Sequence, residues 1–203
     1  MQPLFESNST AAVIFWVVFF GWGALEWGGT VAEARRLRRS GVGRSPRDKG
    51  TAGQFILAIY GGFALAFLAA YAATSAAIGG PRWLSFAVGI ALTVAGIAVR
   101  QWAIHTLGHL FTREVRIQEG HTVVTAGPYR VVRHPSYAAG LVSDLGFGLA
   151  LGNWLSVVAC VLPILAVMIR RIRVEEEALR GGLGEGVYDE YASGRARLIP
   201  GIW

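Results

Sequence analysis

Apolar residues run along this chain in five blocks separated by shorter polar stretches: Ala11–Gly29, Gln54–Ile78, Trp83–His105, Ser136–Leu151 and Trp154–Ile169. At a rise of about 1.5 Å per residue, the first three are long enough to cross a hydrocarbon core of about 30 Å. The last two reach only about 24 Å each. They are separated by Gly152-Asn153 alone, which predicts a tight helical hairpin that dips through, or nearly through, the bilayer. Five such blocks in 203 residues would leave no polar layer around buried soluble helices. The predicted fold is therefore all-α, a polytopic membrane protein with about five transmembrane helices in a single domain. Residues 1–105 supply three spans and a basic loop; residues 106–203 supply a polar loop, the hairpin and a charged tail. No basic residue precedes the first block, and it is longer than a signal-peptide core, so it is expected to stay as a span. Glycines recur inside the blocks at Gly61-Gly62, Gly89, Gly96, Gly146 and Gly148. Small residues of this kind let helix backbones approach closely in lipid.

Charge placement gives the blocks a direction. Of 19 basic residues, 17 fall in the segments after the first, third and fifth blocks: Arg35 to Lys49, Arg113 to Arg133, and Arg170 to Arg197. Arg82 alone marks the other side, and Arg100 lies within the third block. The excess of arginine in alternate loops predicts an N-terminus outside and a C-terminus in the cytoplasm. Composition agrees, with 53% apolar residues, 16% charged residues and a mean hydropathy of +0.45. The net charge of +6 would suit a nucleic-acid partner only if it lined one face; spread between apolar blocks it does not, so no nucleic acid is expected. The single cysteine, Cys160, excludes a disulfide framework and reads as a buried, inert thiol. No repeat at fixed period and no inverted pair of broken helices points to a transporter.

Polar chemistry is confined to two places on the predicted cytoplasmic side. One is the loop from Thr106 to Pro135, with His121-Thr122-Val123-Val124-Thr125, Gly127-Pro128-Tyr129-Arg130 and Arg133-His134-Pro135-Ser136-Tyr137. Its Gly-Pro and His-Pro steps enforce non-helical backbone, which leaves N–H and C=O groups free for a ligand. The residues alone fit two readings, a ligand-binding wall or a capped interface loop with its tyrosines in the aromatic belt. The other place is the tail, where Arg171 and Glu175 stand four apart and share a helix face. By itself that pair also reads as a solvated charged turn. His105 and His109, with His121 and Glu114 nearby, have a spacing that can hold a metal, but a membrane hydroxylase or desaturase centre needs more than the four histidines present, and no metal is expected. Asp144 lies within the fourth block and is costly there; it could sit neutral, pair with the helix bearing Arg100, or lend polarity to a pocket. Glu26 is expected at the wet boundary.

In order along the chain, these blocks resemble one family. His-Thr-Val-Val-Thr-x-Gly-Pro-Tyr-Arg-x-x-Arg-His-Pro-Ser-Tyr is followed by Arg-Ile-x-x-Glu-Glu-x-x-Leu, then Tyr188-x-x-Tyr191 and Arg197-Leu198-Ile199-Pro200. The pattern is similar to that of the isoprenylcysteine carboxyl methyltransferases, in a prokaryotic-type integral membrane form. It covers Leu107 to Trp203, about half the chain, and the segment Gly184-Glu185-Gly186-Val187-Tyr188 is one residue longer than the family spacing. The resemblance implies S-adenosylmethionine as cofactor, bound by His121, Thr122, Val123 and Val124 largely through backbone. Tyr129, His134, Pro135, Ser136 and Tyr137 would continue that wall, and Glu175 would hold the cofactor's polar end. Arg171 would face the acceptor, so Arg171 and Glu175 are the expected catalytic pair. The acceptor implied is a lipidic or prenylated carboxylate entering from the membrane lipids.

A carboxylate is ionised at neutral pH and needs no general base, so Arg171 is expected to position rather than activate it. On that reading Arg171→Ala and Glu175→Ala each abolish methyl transfer and leave the protein folded. Three other readings stand beside it. A phospholipid amine acceptor would need a base, for which His134 or Glu175 is the candidate. An isoprenoid or sterol reductase would bind NADPH. A lipid-binding protein without catalysis could share the scaffold. The host membrane implied is the cytoplasmic membrane of a prokaryote, and the oligomeric state is not specified by these residues.

Overall fold

The computed structural model describes residues 3–39, 41, 45–118, 120–184 and 186–203. Arg44 of the first basic loop and Glu185 of the long tail spacing lie outside them. Among the described residues six α-helices follow in order: α1 Ser9–Arg39, α2 Thr51–Ala72, α3 Arg82–Leu107, α4 Pro135–Ala150, α5 Trp154–Gly182 and α6 Val187–Ser193. Among the described residues, extended pairing is limited to two isolated bridges, Ala77 with Asn153 and Val132 with Ala196. Of these described helices four, α1, α2, α3 and α5, are long and apolar enough to cross a membrane. The 16-residue α4 is the short fifth element. The chain is an integral membrane protein, and its outer faces fit that. Leu57 is 74% exposed, Val17 66% and Trp83 63%, apolar surfaces that lipid rather than water would cover.

Two helices run further than the apolar pattern predicts. α1 continues past Gly29 to Arg39, and α5 continues past Ile169 to Gly182. The second extension has a local cause. Residues 170–180 are almost all strong helix formers, and Arg180 lies 3.5 Å from Glu176 one turn earlier. The consequence is that Arg171 and Glu175 ride on a rigid helix standing clear of the apolar span, not on a flexible tail.

Packing among α2 to α5 depends on small residues. Cβ atoms added at Gly89 and Gly96 of α3 would collide with the backbone of α4 at Ala150, Gly146 and Ala139, and one at Gly146 would fall 2.5 Å from the Thr93 nitrogen. The contact is therefore backbone against backbone. Between α2 and α5 the approach uses a proline. Pro163 has no N–H for the Ala159 carbonyl one turn before it. A Cβ at Gly62 of α2 would stand 2.7 Å from that same carbonyl oxygen. The Ser156 hydroxyl donates to the Ala66 carbonyl at 2.6 Å. Asn153 closes the hairpin: its side chain accepts from Leu155 N at 2.9 Å to start α5 and donates to the Ala73 carbonyl at 2.8 Å.

α1 joins differently, through rings. Phe15 and Trp16 meet Phe67 of α2, Phe19 and Trp22 meet Phe63, and Trp22 lies 5.9 Å from Phe147 of α4. These contacts hold α1 to α2 in the half remote from the basic loops. Toward the basic end the two helices separate.

Candidate functional site

Five element ends converge at the basic end: the C-termini of α1, α3 and α5 and the N-termini of α2 and α4. The polar loop between α3 and α4 lies across them. Gly127, at φ +54°, turns the backbone with its Cα against Thr106, where a side chain would stand 2.9 Å from the threonine hydroxyl. The tail then clasps the loop from outside. Arg133 N donates to the Ala196 carbonyl at 2.9 Å, and His134 N donates to the Arg197 carbonyl at 3.0 Å. Beneath the clasp, Glu176 is almost fully buried and gathers Arg133 at 2.9 Å, Arg197 at 3.0 Å and His134 Nε2 at 3.4 Å. Burial alone would raise this carboxyl's pKa; hydrogen bonds from His134 and Arg197 and the charge of Arg133 outweigh it and bring the value down to about 2.

The loop, the polar end of α5 and α6 enclose a cavity of about 850 Å³, counting its open mouth. Ten of the residues singled out in the sequence line it: His121, Thr122, Val123, Val124, Tyr129, His134, Ser136, Tyr137, Arg171 and Glu175. Pro135 does not. It is buried at the first position of α4, where its fixed φ starts the helix and its missing N–H costs nothing. The walls add Tyr188 and Tyr191 from α6 and Arg133 from the loop. Nδ1 of His121 and Nε of Arg133 are buried there without a hydrogen-bond partner. Burial raises the Tyr129 hydroxyl's pKa far above its ordinary value, with Glu175 adding to the shift, so the group stays a neutral donor.

A chain of hydrogen bonds runs across the inner wall. The Tyr137 hydroxyl donates to Glu175 Oε2 at 2.7 Å and accepts from Arg171 Nε at 2.8 Å. Arg171 Nη1 donates to Asp48 Oδ1 at 3.1 Å and to Thr51 Oγ1 at 3.0 Å, and Nη2 donates to the Arg113 carbonyl. Four of the five guanidinium N–H donors are thereby taken. Arg171 is only 3% exposed. It is a keystone joining α2, α4, α5 and the loop, so the expectation that its removal leaves the protein intact does not survive this geometry. Asp48 is the partner that sequence reasoning missed. It also accepts from Val115 N at 3.0 Å and Ala52 N at 2.9 Å. Burial pushes its pKa up, but those two N–H groups, and then Arg171, hold the carboxyl below its ordinary range. An aspartate set among arginines just before Thr51 and an apolar run was the signal available.

A second cavity, of about 860 Å³, opens between the separated ends of α1 and α2. Trp22, Glu26, Trp27 and Thr30 line it from α1, and Ala52, Phe55, Ile56, Ile59 and Tyr60 from α2. Phe111, Thr112, Tyr137 and Arg171 border both cavities. Arg100 of α3 reaches this wall and gives its bonds to Glu26, at 2.7 and 3.1 Å, and to the Ser136 carbonyl at 3.1 Å. Among the described residues none donates to Asp144, so the pairing open to Arg100 went to Glu26. Glu26 is accordingly enclosed rather than wet, with 17% of its side chain exposed. Arg113 lies flat against Gly29 and joins Glu33 at 3.3 Å, tying the loop to α1.

Residues 88–181 match the profile of the "Isoprenylcysteine carboxyl methyltransferase (ICMT) family". That stretch of the chain belongs to the isoprenylcysteine carboxyl methyltransferase family. The "Probable protein-S-isoprenylcysteine O-methyltransferase" of Oryza sativa subsp. indica is 37% identical over 112 residues, 54% of this chain and 58% of the rice protein. Protein-S-isoprenylcysteine O-methyltransferase A of Arabidopsis thaliana is 35% identical over 121 residues, 59% of this chain and 61% of its own length. A solved structure of a eukaryotic intramembrane Ras methyltransferase, an isoprenylcysteine carboxyl methyltransferase, superposes with a TM-score of 0.57 at 28% identity, over 74% of this chain and 53% of that one. The chain thus spans somewhat over half the length of these relatives. The family segment holds α3, the loop, α4 and α5, and with them most of the first cavity. The α1–α2 walls of the second, and Asp48 with Thr51, lie outside it.

Proposed function

We propose that this chain is a membrane methyltransferase that uses S-adenosylmethionine to methylate the carboxylate of an isoprenylcysteine-like, lipidic acceptor. The observation that carries the reading is the pair of cavities meeting at Tyr137 and Arg171. One is the more polar and lies at the basic end; the other is mostly apolar and lies between two helices that face lipid. A water-soluble donor and a lipid-anchored acceptor need such separate entries and one shared wall.

The first cavity fits S-adenosylmethionine. The rings of Tyr129, Tyr188 and Tyr191 offer faces for an adenine and for a sulfonium cation. The Glu175 carboxylate suits an ammonium group, and the unpartnered Arg133 Nε and His121 Nδ1 offer polar contacts for the rest of the amino-acid portion. When bound, the sulfonium supplies an already activated methyl group. The residues then have to align, hold charge and exclude water. Tyr137 fixes Glu175 and Arg171 relative to each other. Arg171 keeps one N–H for the acceptor carboxylate while its other donors keep the wall rigid. The acceptor arrives ionised, so no base is assigned. The basic end is taken as cytoplasmic, from the 17 of 19 basic residues on that side, with the host a prokaryotic cytoplasmic membrane.

Titration calorimetry with S-adenosylmethionine, S-adenosylhomocysteine and NADPH, followed by methyl transfer to S-farnesylcysteine, tests the proposal. The expected outcome is binding of both adenosyl compounds, none of NADPH, and a base-labile methyl ester as product. Failure of both adenosyl compounds to bind overturns the reading. A base-stable product on phosphatidylethanolamine would shift it to an amine acceptor.

A further inference from the structure

A third opening lies on the other side of α1, between it and α3, and the proposed reaction makes no use of it. Its volume is about 590 Å³, counting its open mouth. α1 supplies Leu25, Ala32 and Arg36, α3 supplies Gln101 and Ile104, and Arg113 of the loop closes the inner end. Leu25, Gly29, Ala32 and Arg36 follow one another three or four apart and form one stripe of α1. The groove therefore runs for about 16 Å, from the apolar part of α1 into its charged turns. Gly21 and Val18 continue the stripe toward the bilayer centre, and Ile97 and Val94 do the same on α3.

Tryptophans give its depth in the bilayer independently of the arginines. Trp102, 55% exposed, is the neighbour of Gln101, and Trp27, 59% exposed, lies between Leu25 and Gly29. Trp83 marks the opposite end of α3. It is nineteen residues from Trp102, about 28 Å along the helix, which matches a hydrocarbon core of about 30 Å. Exposed tryptophans collect at headgroup level, so the polar end of the groove sits where lipid phosphates lie.

The charge presented at that level is positive. Among the described lining residues Glu33 is the one carboxylate, and it is turned to the loop. It accepts from Arg113 N at 2.9 Å and lies 3.3 Å from Arg113 Nη1, with 11% of its side chain exposed. Arg36 is exposed, and so is Arg39, three residues further on and on the side of the stripe away from Glu33. We infer that this groove binds an anionic phospholipid, its phosphate against Arg36 and Arg39 and an acyl chain along Leu25 and Ile104. Basic pockets between helices on the arginine-rich side suit such headgroups. An amine-bearing headgroup is disfavoured, because the carboxylate that could hold its ammonium is already engaged by Arg113.

Occupancy reaches the first cavity through residues 109–113. Arg36 donates to the His109 carbonyl at 2.9 Å and to the Phe111 carbonyl at 3.4 Å. Two residues on, Arg113 has its N–H on Glu33 and its carbonyl on Arg171 Nη2. A lipid that fixes Arg36 thus stiffens the segment that holds Arg171.

The test places the full chain in phosphatidylcholine nanodiscs with and without phosphatidylglycerol or phosphatidylethanolamine. Native mass spectrometry of the released protein identifies retained lipid, and hydrogen exchange follows the amides of residues 109–115. The wild type is expected to retain phosphatidylglycerol in preference to the other two lipids and to show those amides protected by it. Arg36→Gln should weaken retention roughly fivefold, the scale of one arginine at a membrane surface. Arg38→Gln removes the same charge from the exposed far side of α1 and should leave retention unchanged. Ala32→Trp fills the groove while keeping every charge; it should abolish the preference, and it decides the matter if Arg36→Gln does not fold. Equal retention of phosphatidylethanolamine, equal losses in Arg36→Gln and Arg38→Gln, or full retention in Ala32→Trp overturns the site. Retention without protection of residues 109–115 overturns the link to Arg171. Resting on the proposed function, methyl transfer to S-farnesylcysteine should rise about fivefold with phosphatidylglycerol in the wild type and not in Ala32→Trp. An equal rise in both overturns that link, whereas no transfer in any lipid overturns the proposed function and leaves the lipid site to be decided by retention and exchange.

Discussion

The α3–α5 half and the α1–α2 pair are both built from apolar helices, yet they hold together by different physics. In the first, backbones touch at Gly89, Gly96 and Gly146, and polar side chains at the helix ends find partners, as Glu176 and Arg197 do. In the second, large rings interlock over one half, and the helices stand apart over the other. The family segment coincides with the first half and leaves out the second. Close backbone contact tolerates almost no change in side-chain volume, so it suits a site whose geometry must not vary. Ring packing around an open groove can change shape with one substitution, so this half can vary without disturbing the other.

Breaking the rigid half should have the largest effects. Arg171→Ala removes donors from Tyr137, Asp48, Thr51 and the Arg113 carbonyl and leaves a buried aspartate unpaired. It is expected to cost about 3–5 kcal/mol of stability and to reduce methyl transfer by about 100-fold or more, read by thermal unfolding in detergent beside an activity assay. Glu175→Ala separates site from scaffold. It should lower activity comparably while leaving the unfolding midpoint within a degree or two, because the side chain is about a third exposed and its partner Tyr137 keeps Arg171. If Arg171→Ala unfolds no more readily than Glu175→Ala, the keystone role is wrong.

Next in size is Gly146→Val, whose side chain would run into Thr93 and the Gly89 carbonyl. It should cost about 1–3 kcal/mol, whereas Leu57→Val on the lipid face of α2 should leave the midpoint unchanged. The smallest expected effect sits at the seam between the halves. The Asp48 carboxyl is held below its ordinary pKa in the folded protein. A group depressed in this way contributes stability above its unfolded pKa near 4 and loses that contribution as pH falls through the lower folded value. Asp48→Asn should therefore be less stable than the wild type at pH 7, with the gap closing below about pH 4. Guanidinium-free thermal scans across pH 3–7 measure it, and a gap independent of pH would assign the loss to packing alone.

The five elements were legible because lipid imposes length and hydropathy on every helix, and the boundaries differed where the chain left lipid. α5 continued through Arg170–Gly182 because the charged residues there are good helix formers, a property that an apolar pattern does not register. Ten of the residues singled out around one pocket indeed line one cavity, since His121 to Tyr137 form a short loop and Arg171 and Glu175 a single helix turn. Their partners were less legible. Asp48 is 123 residues from Arg171, and Glu26 is 74 from Arg100. No periodicity links positions so far apart.

By itself, the sequence determined where the five apolar elements lie, which polar segments share an end, and which residues of the loop and of α5 come together around one cavity. These are local properties: hydrophobic length, charge by loop, and residue types within a turn or a short loop. Only the tertiary structure decided that Arg171 is bonded on four sides, that Glu26 rather than Asp144 takes Arg100, and that α1 and α2 part to leave a groove ending at Trp22. Each of those depends on which helix faces which. In a bilayer that choice is made by close packing and by polar groups seeking partners, because lipid covers any apolar face equally well.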